Sequence, residues 1–334
     1  MADRPAMQSR QQKGDALMRF GVNILSRGPM ANRAGYKAVA AAAERLGFDF
    51  VSANDHVVVP ADIDSRYPYS EEGDWAGKNT GACLDVLSTL TFLAGCTERV
   101  RLLSSVMVVP HRPAILAAKI IATADVLSEG RMIVGCGAGW MKEEIEALGA
   151  PPYEERGKVT DEYIAAFREL WTKDRPEMKG RYVDFGNILF EPKPVAKPHP
   201  PIWVGGESAP AMRRAIKLGD AWYPASSNPA NRLDTAARVA DAMGIFKEMC
   251  EKAGRDPQSI GLAHVVLWPV NWTAEAAHSG GRRSFTGSSE QMAEDAAAMK
   301  ASGIGDVNVS FPAPTVQETL ERMERFAKDV MARV

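Results

Sequence analysis

Residues 99–140 read RVRLLSSVMVVPHRPAILAAKIIATADVLSEGRMIVGCGAGW, a strand, a helix and a second strand with a polar or glycine-rich turn after each strand. Val100 to Val109 is a β-branched and apolar run, too uninterrupted for a half-exposed strand and suited to a parallel strand covered on both faces. Pro110 and Pro113 end it. Ala114 to Leu127 has helical spacing, Ser128 to Gly130 is a stop, and Met132 to Val134 opens a second buried strand that runs into GCGAG. In such βαβ units, ligands sit on the loops that follow the C-terminal ends of the strands.

The same rhythm extends in both directions. Upstream come a strand at Phe20 to Leu25, a helix at Arg33 to Leu46 closed by Gly47, a strand at Phe48 to Ala53 and a helix at Leu84 to Cys96. Between the last two, Val57 to Gly81 is a long loop rich in Pro, Asp, Gly and aromatics, of the kind that forms lids. Downstream come helix Arg156 to Trp171, strand Pro201 to Val204, helix Ala209 to Leu218 and a short strand at Ala221 to Pro224. Leu233 to Ala253, Ser289 to Ala301 and Thr315 to Val334 read as helices, and Ile260 to Val270 and Val307 to Phe311 as strands. The polar, proline-rich stretch 172–200 is an excursion. Close to eight strands alternating with close to eight helices predict a (β/α)8 TIM barrel over residues 19–334, after an N-terminal extension at 1–18. A doubly wound sheet is the runner-up, but no G-x-G-x-x-G follows the first strand.

The composition fits one large domain: 334 residues, 46% hydrophobic, 25% charged, net charge -2 with both signs interspersed. That charge balance leaves no footprint for nucleic acid or an anionic membrane. Four scattered cysteines without a C-x-x-C pair argue against a disulfide framework or a zinc ribbon and imply a reducing compartment; no metal site is expected. With a polar N-terminus and no run of eighteen apolar residues, a cytoplasmic protein is expected.

Four groups of residues carry candidate chemistry. Asp55 and His56 follow the second strand, where an imidazole can donate, accept or shuttle a proton near neutral pH. The plain alternative is a loop histidine bonded to a backbone carbonyl. Ser104 and Ser105 interrupt an apolar strand and His111 follows its end, which read equally as local hydroxyl bonding and a surface histidine. Gly135, Gly137 and Gly139 let backbone approach a ligand or merely bend a strand end. Gly205 and Gly206, with Glu207 and Ser208 opening a helix, suit a phosphate better, because a glycine pair before a helix N-terminus exposes free N–H groups. The residues by themselves point to a barrel enzyme binding a phosphate-bearing ligand.

Five stretches resemble the bacterial luciferase-like superfamily of flavin and deazaflavin (coenzyme F420) oxidoreductases. They are FGV at 20–22, NDH at 54–56, LLSSVMVVPHRPAILAAKIIATADVLSEGR at 102–131, GCGAGW at 135–140 and PIWVGGESAPAMRRAIKLGDAWYP at 201–224, in the family's order. GDAW departs slightly from the commoner G-D-G-W. The resemblance implies a (β/α)8 barrel, usually a homodimer, that holds the flavin or deazaflavin ring at the C-terminal ends of the strands. It gives His56 an acid/base role and Asp55 a ring-contacting one. It maps a non-prolyl cis peptide, a bulge behind the ring, onto Ser105 and Val106. It assigns the phosphate to Gly205, Gly206 and the Ser208 turn, and the ring and ribityl chain to Gly137, Ala138, Gly139 and Trp140. Where some deazaflavin sugar-phosphate dehydrogenases carry a glutamate in that turn, this chain has Trp140, and the next carboxylates are Glu143 and Glu144; this speaks against a sugar-phosphate substrate.

The expected activity is hydride transfer between coenzyme F420 and a small organic substrate, with His56 moving the matching proton. One alternative is a monooxygenase dependent on reduced FMN; another is a flavin-binding barrel without turnover. Tyr67, Tyr69 and Trp75 on the lid suggest a hydrophobic or aromatic substrate, or pack the loop itself. Glu143 and His111 are the next candidates for the catalytic proton, and His199 is read as exposed.

Overall fold

A computed structural model describes residues 17–78 and 80–334, so the expected extension at 1–18 lies outside the described residues apart from Leu17 and Met18. In chain order the elements are β1 (Arg19–Ile24), α1 (Arg33–Leu46), β2 (Phe50–Ala53), α2 (Val86–Ala94), β3 (Arg101–Ser104), β4 (Met107–Val108) and α3 (Ala114–Leu127). Next come β5 (Met132–Gly137), α4 (Lys142–Ala147), α5 (Arg156–Thr172), β6 (Met178–Lys179), β7 (Asp184–Phe185), β8 (Ile202–Gly205), α6 (Ala209–Leu218) and β9 (Ala221–Tyr223). The chain closes with α7 (Ala236–Lys252), β10 (Gly261–Pro269), α8 (Ser289–Ser302), β11 (Asp306–Ser310) and α9 (Val316–Asp329).

All barrel pairings are parallel, in the order β3-β2-β1-β11-β10-β9-β8-β5-β4, and a further β3 to β5 pairing closes the ring. β3 and β4 are two halves of one barrel position, so the barrel has eight. The expected single strand from Val100 to Val109 is therefore divided. The Ser105–Val106 peptide bond is cis, as the resemblance implied, and pairing to β5 resumes only at Met107 opposite Cys136.

Local chemistry sets several helix limits. Asn32 caps α1 by accepting the Gly35 N–H at 3.0 Å, and Gly47 ends it with φ +86°, a left-handed conformation that costs glycine little. Asp85 and Thr235 are N-caps rather than helix interior, which shortens the expected starts of α2 and α7. The final helix ends at Asp329 and is followed by a single tight turn, Met331–Arg333. The excursion at 172–200 holds only the two-residue hairpin β6–β7.

The apolar runs divide between two cores. Phe50, Leu103, Ile133, Trp203, Tyr223 and Ala263 fill the barrel interior, whereas a larger cluster seals the sheet against the helices. At the N-terminal end, Asp306 takes both Nε and Nη2 of Arg19 and also Arg101, tying β11 to β1 and β3. The opposite end, where every strand terminates, is left to loops. That is the active-site end of such barrels.

Candidate active site

A cavity of about 370 Å³ opens at the C-terminal ends of the strands. His56, Asp55, Ser105, Val106, Gly137, Ala138, Gly139, Trp140, Gly205, Gly206 and Ser208 all line it, so residues separated by up to 153 positions in the chain (55 to 208) meet in one wall. Its volume is in the range of small-molecule sites.

His56 is buried, and its Nδ1 lies 2.7 Å from Glu144 Oε2. The Val57 and Val58 N–H groups donate to the other oxygen, Oε1, at 2.7 and 3.2 Å. Burial works against ionisation of Glu144, but the His56 bond, the neighbouring His111 and His56 charges and the Val57 amide outweigh it and hold the carboxyl below its usual range. An ionised carboxylate only accepts hydrogen bonds. His56 Nδ1 therefore carries the proton, and Nε2 is the basic nitrogen left for the cavity. His111, expected at the surface, is instead buried, with Nδ1 3.8 Å from Glu144 Oε1. Burial lowers its pKa, which favours the neutral ring.

Glu144 is the residue that sequence reading undervalued. It sits in α4, a six-residue helix without a side-chain N-cap bond, too short to show helical periodicity. Glu143, its neighbour, does something else: its Oε1 accepts the Asp64 and Ser65 N–H groups, each at 2.9 Å, anchoring the lid.

Asp55 lines the cavity, but both its oxygens are engaged. Arg112 makes a two-pronged ion pair to them at 2.8 Å each, and the Val108 N–H donates to Oδ2 at 2.9 Å. Arg112 also reaches Asp85. The pair thus joins the loop after β2 to β4 and the start of α2. The floor beside it is a hydrogen-bonded group: Asn308 Nδ2 donates to Ser52 Oγ and Tyr223 Oη, both at 2.7 Å, and Tyr223 Oη lies 2.9 Å from Ser105 Oγ.

Val106 explains two of the glycines. A Cβ on Gly137 would lie 2.6 Å from Val106 Cγ2, and one on Gly205 3.1 Å from Cγ1, so this side chain is seated between two strands that carry no side chain there. Gly206 has φ +100°, and an added Cβ would meet the Ala211 Cβ at 3.0 Å. Beyond it, Ser208 caps α6 by accepting from the Ala211 N–H.

Arg156 and Arg214 line the same end of the cavity, and neither was singled out in the sequence. Arg156 Nε donates to Gly139 O at 3.1 Å, and Arg214 Nη2 donates to Gly157 O at 2.9 Å while its Nε pairs with Asp161. Two guanidiniums beside a glycine turn and a helix N-terminus suit an anion. The glycine turn and this cation pair fit the phosphate of a flavin or deazaflavin.

Aromatic rings close the other side. Trp75 packs on His56 with ring centroids 4.3 Å apart, Trp140 lies 6.0 Å from Trp75, and Tyr67 lies 5.1 Å from Trp140. Burial pushes the Tyr67 hydroxyl up to about 12, so it stays protonated at neutral pH. The lid aromatics thus form the cavity wall rather than only packing the loop. His199, expected to be exposed, has a side chain only 8% exposed and packs near Trp171, away from this cavity.

Fold and site together are those of a (β/α)8 barrel with a ligand-sized pocket at the C-terminal ends of its strands. The chain belongs to the luciferase-like monooxygenase family, whose model matches residues 18–330. Over 138 residues, 41% of this chain and 38% of the relative's length, it is 36% identical to an FMNH(2)-dependent dimethylsulfone monooxygenase of Pseudomonas putida. It is 29% identical over 308 residues to an uncharacterised protein of Mycobacterium bovis, covering 90% of this chain and 95% of that one. Its fold matches an F420-dependent secondary alcohol dehydrogenase, solved in complex with an F420-acetone adduct, with TM-score 0.72 at 18% identity over 96% of this chain and 100% of that chain. Among the described residues, no helix is long and apolar enough to cross a membrane.

Proposed function

We propose that this chain is an oxidoreductase that transfers a hydride between coenzyme F420 and a small organic substrate, with His56 as the acid/base residue. The observation that carries the reading is the buried His56–Glu144 pair, which leaves Nε2 toward the cavity. When bound, the deazaflavin ring supplies the two-electron chemistry. Gly205, Gly206 and Ser208, with Arg156 and Arg214, hold its phosphate, and the turn from Gly137 to Trp140 borders the rest. His56 gives or takes the proton that accompanies a change at a carbonyl, imine or polarised alkene. Glu144 keeps the ring in the tautomer that does this and stabilises its protonated form. Trp75, Trp140 and Tyr67 exclude water.

A second reading, a reduced-FMN monooxygenase, is favoured by the identity to the dimethylsulfone enzyme. FMN also carries a phosphate, and the same residues would hold it. Titrating purified protein with F420 and with FMN, each oxidised and reduced, separates the two. Saturable F420 binding with weak FMN binding is expected; the reverse order replaces the first reading with the second.

A further inference from the structure

Arg27 follows the end of β1 and is half-buried at the active-site face. Its guanidinium stands over the Trp75 ring, 5.2 Å from the centroid, on the aromatic side chain that also packs against His56. It lines the catalytic cavity and also two others, of about 420 and 380 Å³, so it stands where all three meet.

Other guanidiniums at this end are bonded within the protein, Arg156 by the Gly139 and Tyr153 carbonyls and the rest by carboxylates. Arg112 is held by Asp55 and Asp85, Arg214 by Asp161, Arg232 by Glu71 and Arg283 by Glu275. Arg27 makes no hydrogen bond or ion pair with a described residue. Of the carboxylates that line these cavities with it, Glu71 is taken by Arg232 and Asp55 by Arg112, and neither Glu72 nor Asp234 forms an ion pair with it. Among the described residues its guanidinium therefore has no ion-pair partner, while Leu25, Leu267 and Trp75 give it an apolar side toward the catalytic cavity. A planar fork of five N–H donors in such a setting matches an oxyanion carried on an apolar body.

We propose that Arg27 is the substrate-recognition residue of this site, and that the substrate is a small organic anion. Its carboxylate or sulfonate sits on Arg27 and its apolar body runs along Trp75 toward His56. This rests on the reading of the His56 cavity as the active site. Arg27 fixes which molecule enters; His56 and Glu144 handle the proton.

The test uses calorimetric titration of the cofactor-loaded protein with phenylacetate, phenylmethanesulfonate and the neutral phenylacetamide. Wild type should bind at least one anion about tenfold or more tightly than the amide. Arg27→Met, which keeps the length of the stem, should weaken anion binding by about 10- to 100-fold and leave the amide unchanged, the size expected for lost hydrogen bonds to a charged group. Arg27→Lys should fall between. Equal binding of anions and amide by wild type, or wild-type anion affinity in Arg27→Met, overturns the proposal. So does weakened F420 or FMN binding in Arg27→Met, which would assign Arg27 to the cofactor. If wild type bound neither cofactor but the unloaded chain kept an Arg27-dependent anion preference, the redox reading would fail and the anion site would stand.

Discussion

Glu144 Oε2 lies 2.7 Å from His56 Nδ1, across 88 positions of sequence, and two backbone amides hold the same carboxylate from the other side. The geometry divides labour between the two. One residue faces the cavity; the other determines which nitrogen of the first is basic.

His56→Ala should bind cofactor as wild type does and lose most of its turnover, by about a hundredfold to ten-thousandfold, the usual worth of positioned acid/base help. Steady-state rates beside a cofactor titration check this. Wild-type turnover in His56→Ala would make the residue structural.

Glu144→Gln should slow turnover by roughly a hundredfold while KM changes little, because the amide no longer stabilises the imidazolium that forms in proton transfer. Rescue by the conservative variant is the discriminating readout. Glu144→Asp, which keeps an anion on this side of His56, should recover part of the lost turnover, whereas a merely structural defect would not be relieved by restoring the charge.

Gly206→Val places a branched side chain at φ +100° against Ala211. In protein with an unchanged circular dichroism spectrum, cofactor affinity should fall by more than about tenfold, the size of a lost hydrogen bond to an anion, since bulk is added as well. Unchanged affinity would remove this turn from the phosphate site.

Arg112→Met should destabilise the fold by about 3–5 kcal/mol in denaturant titration, because it leaves Asp55 buried with half its partners gone. A loss below about 1 kcal/mol, the median for exposed pairs, would mean that solvent already screens the pair.

His264 on β10 is fully buried, and burial lowers its pKa to about 4. The unfolded chain binds this proton near pH 6.5 and the folded chain does not, so stability contributed by the neutral ring is complete above about pH 6.5 and declines as pH falls toward 4. The loss should be on the order of 3 kcal/mol by pH 4. Replacing His264 with Phe should flatten the pH dependence of the unfolding midpoint in that window; an unaltered slope would assign it to other groups.

Much of the fold was legible because its determinants are local. α1, α3 and α6 begin and end where the sequence predicts, since caps, glycine stops and helical periodicity each act within a few residues. The alternation of buried strands and helices led to the barrel, and the family motifs led to the cis bond at Ser105 and Val106 and to residues that line one cavity. What the sequence by itself determined was therefore the order of elements and the strand-end loops that carry the site. Only the tertiary structure decided which side chains face each other there. Glu144 becomes the partner of His56 because barrel closure brings α4 under the loop after β2. Arg27 reaches Trp75 because the lid folds back over β1, and Arg156 and Arg214 meet because α5 and α6 are neighbours around the ring. None of these pairings leaves a signal in local spacing, since each depends on contacts between segments 48 to 88 residues apart.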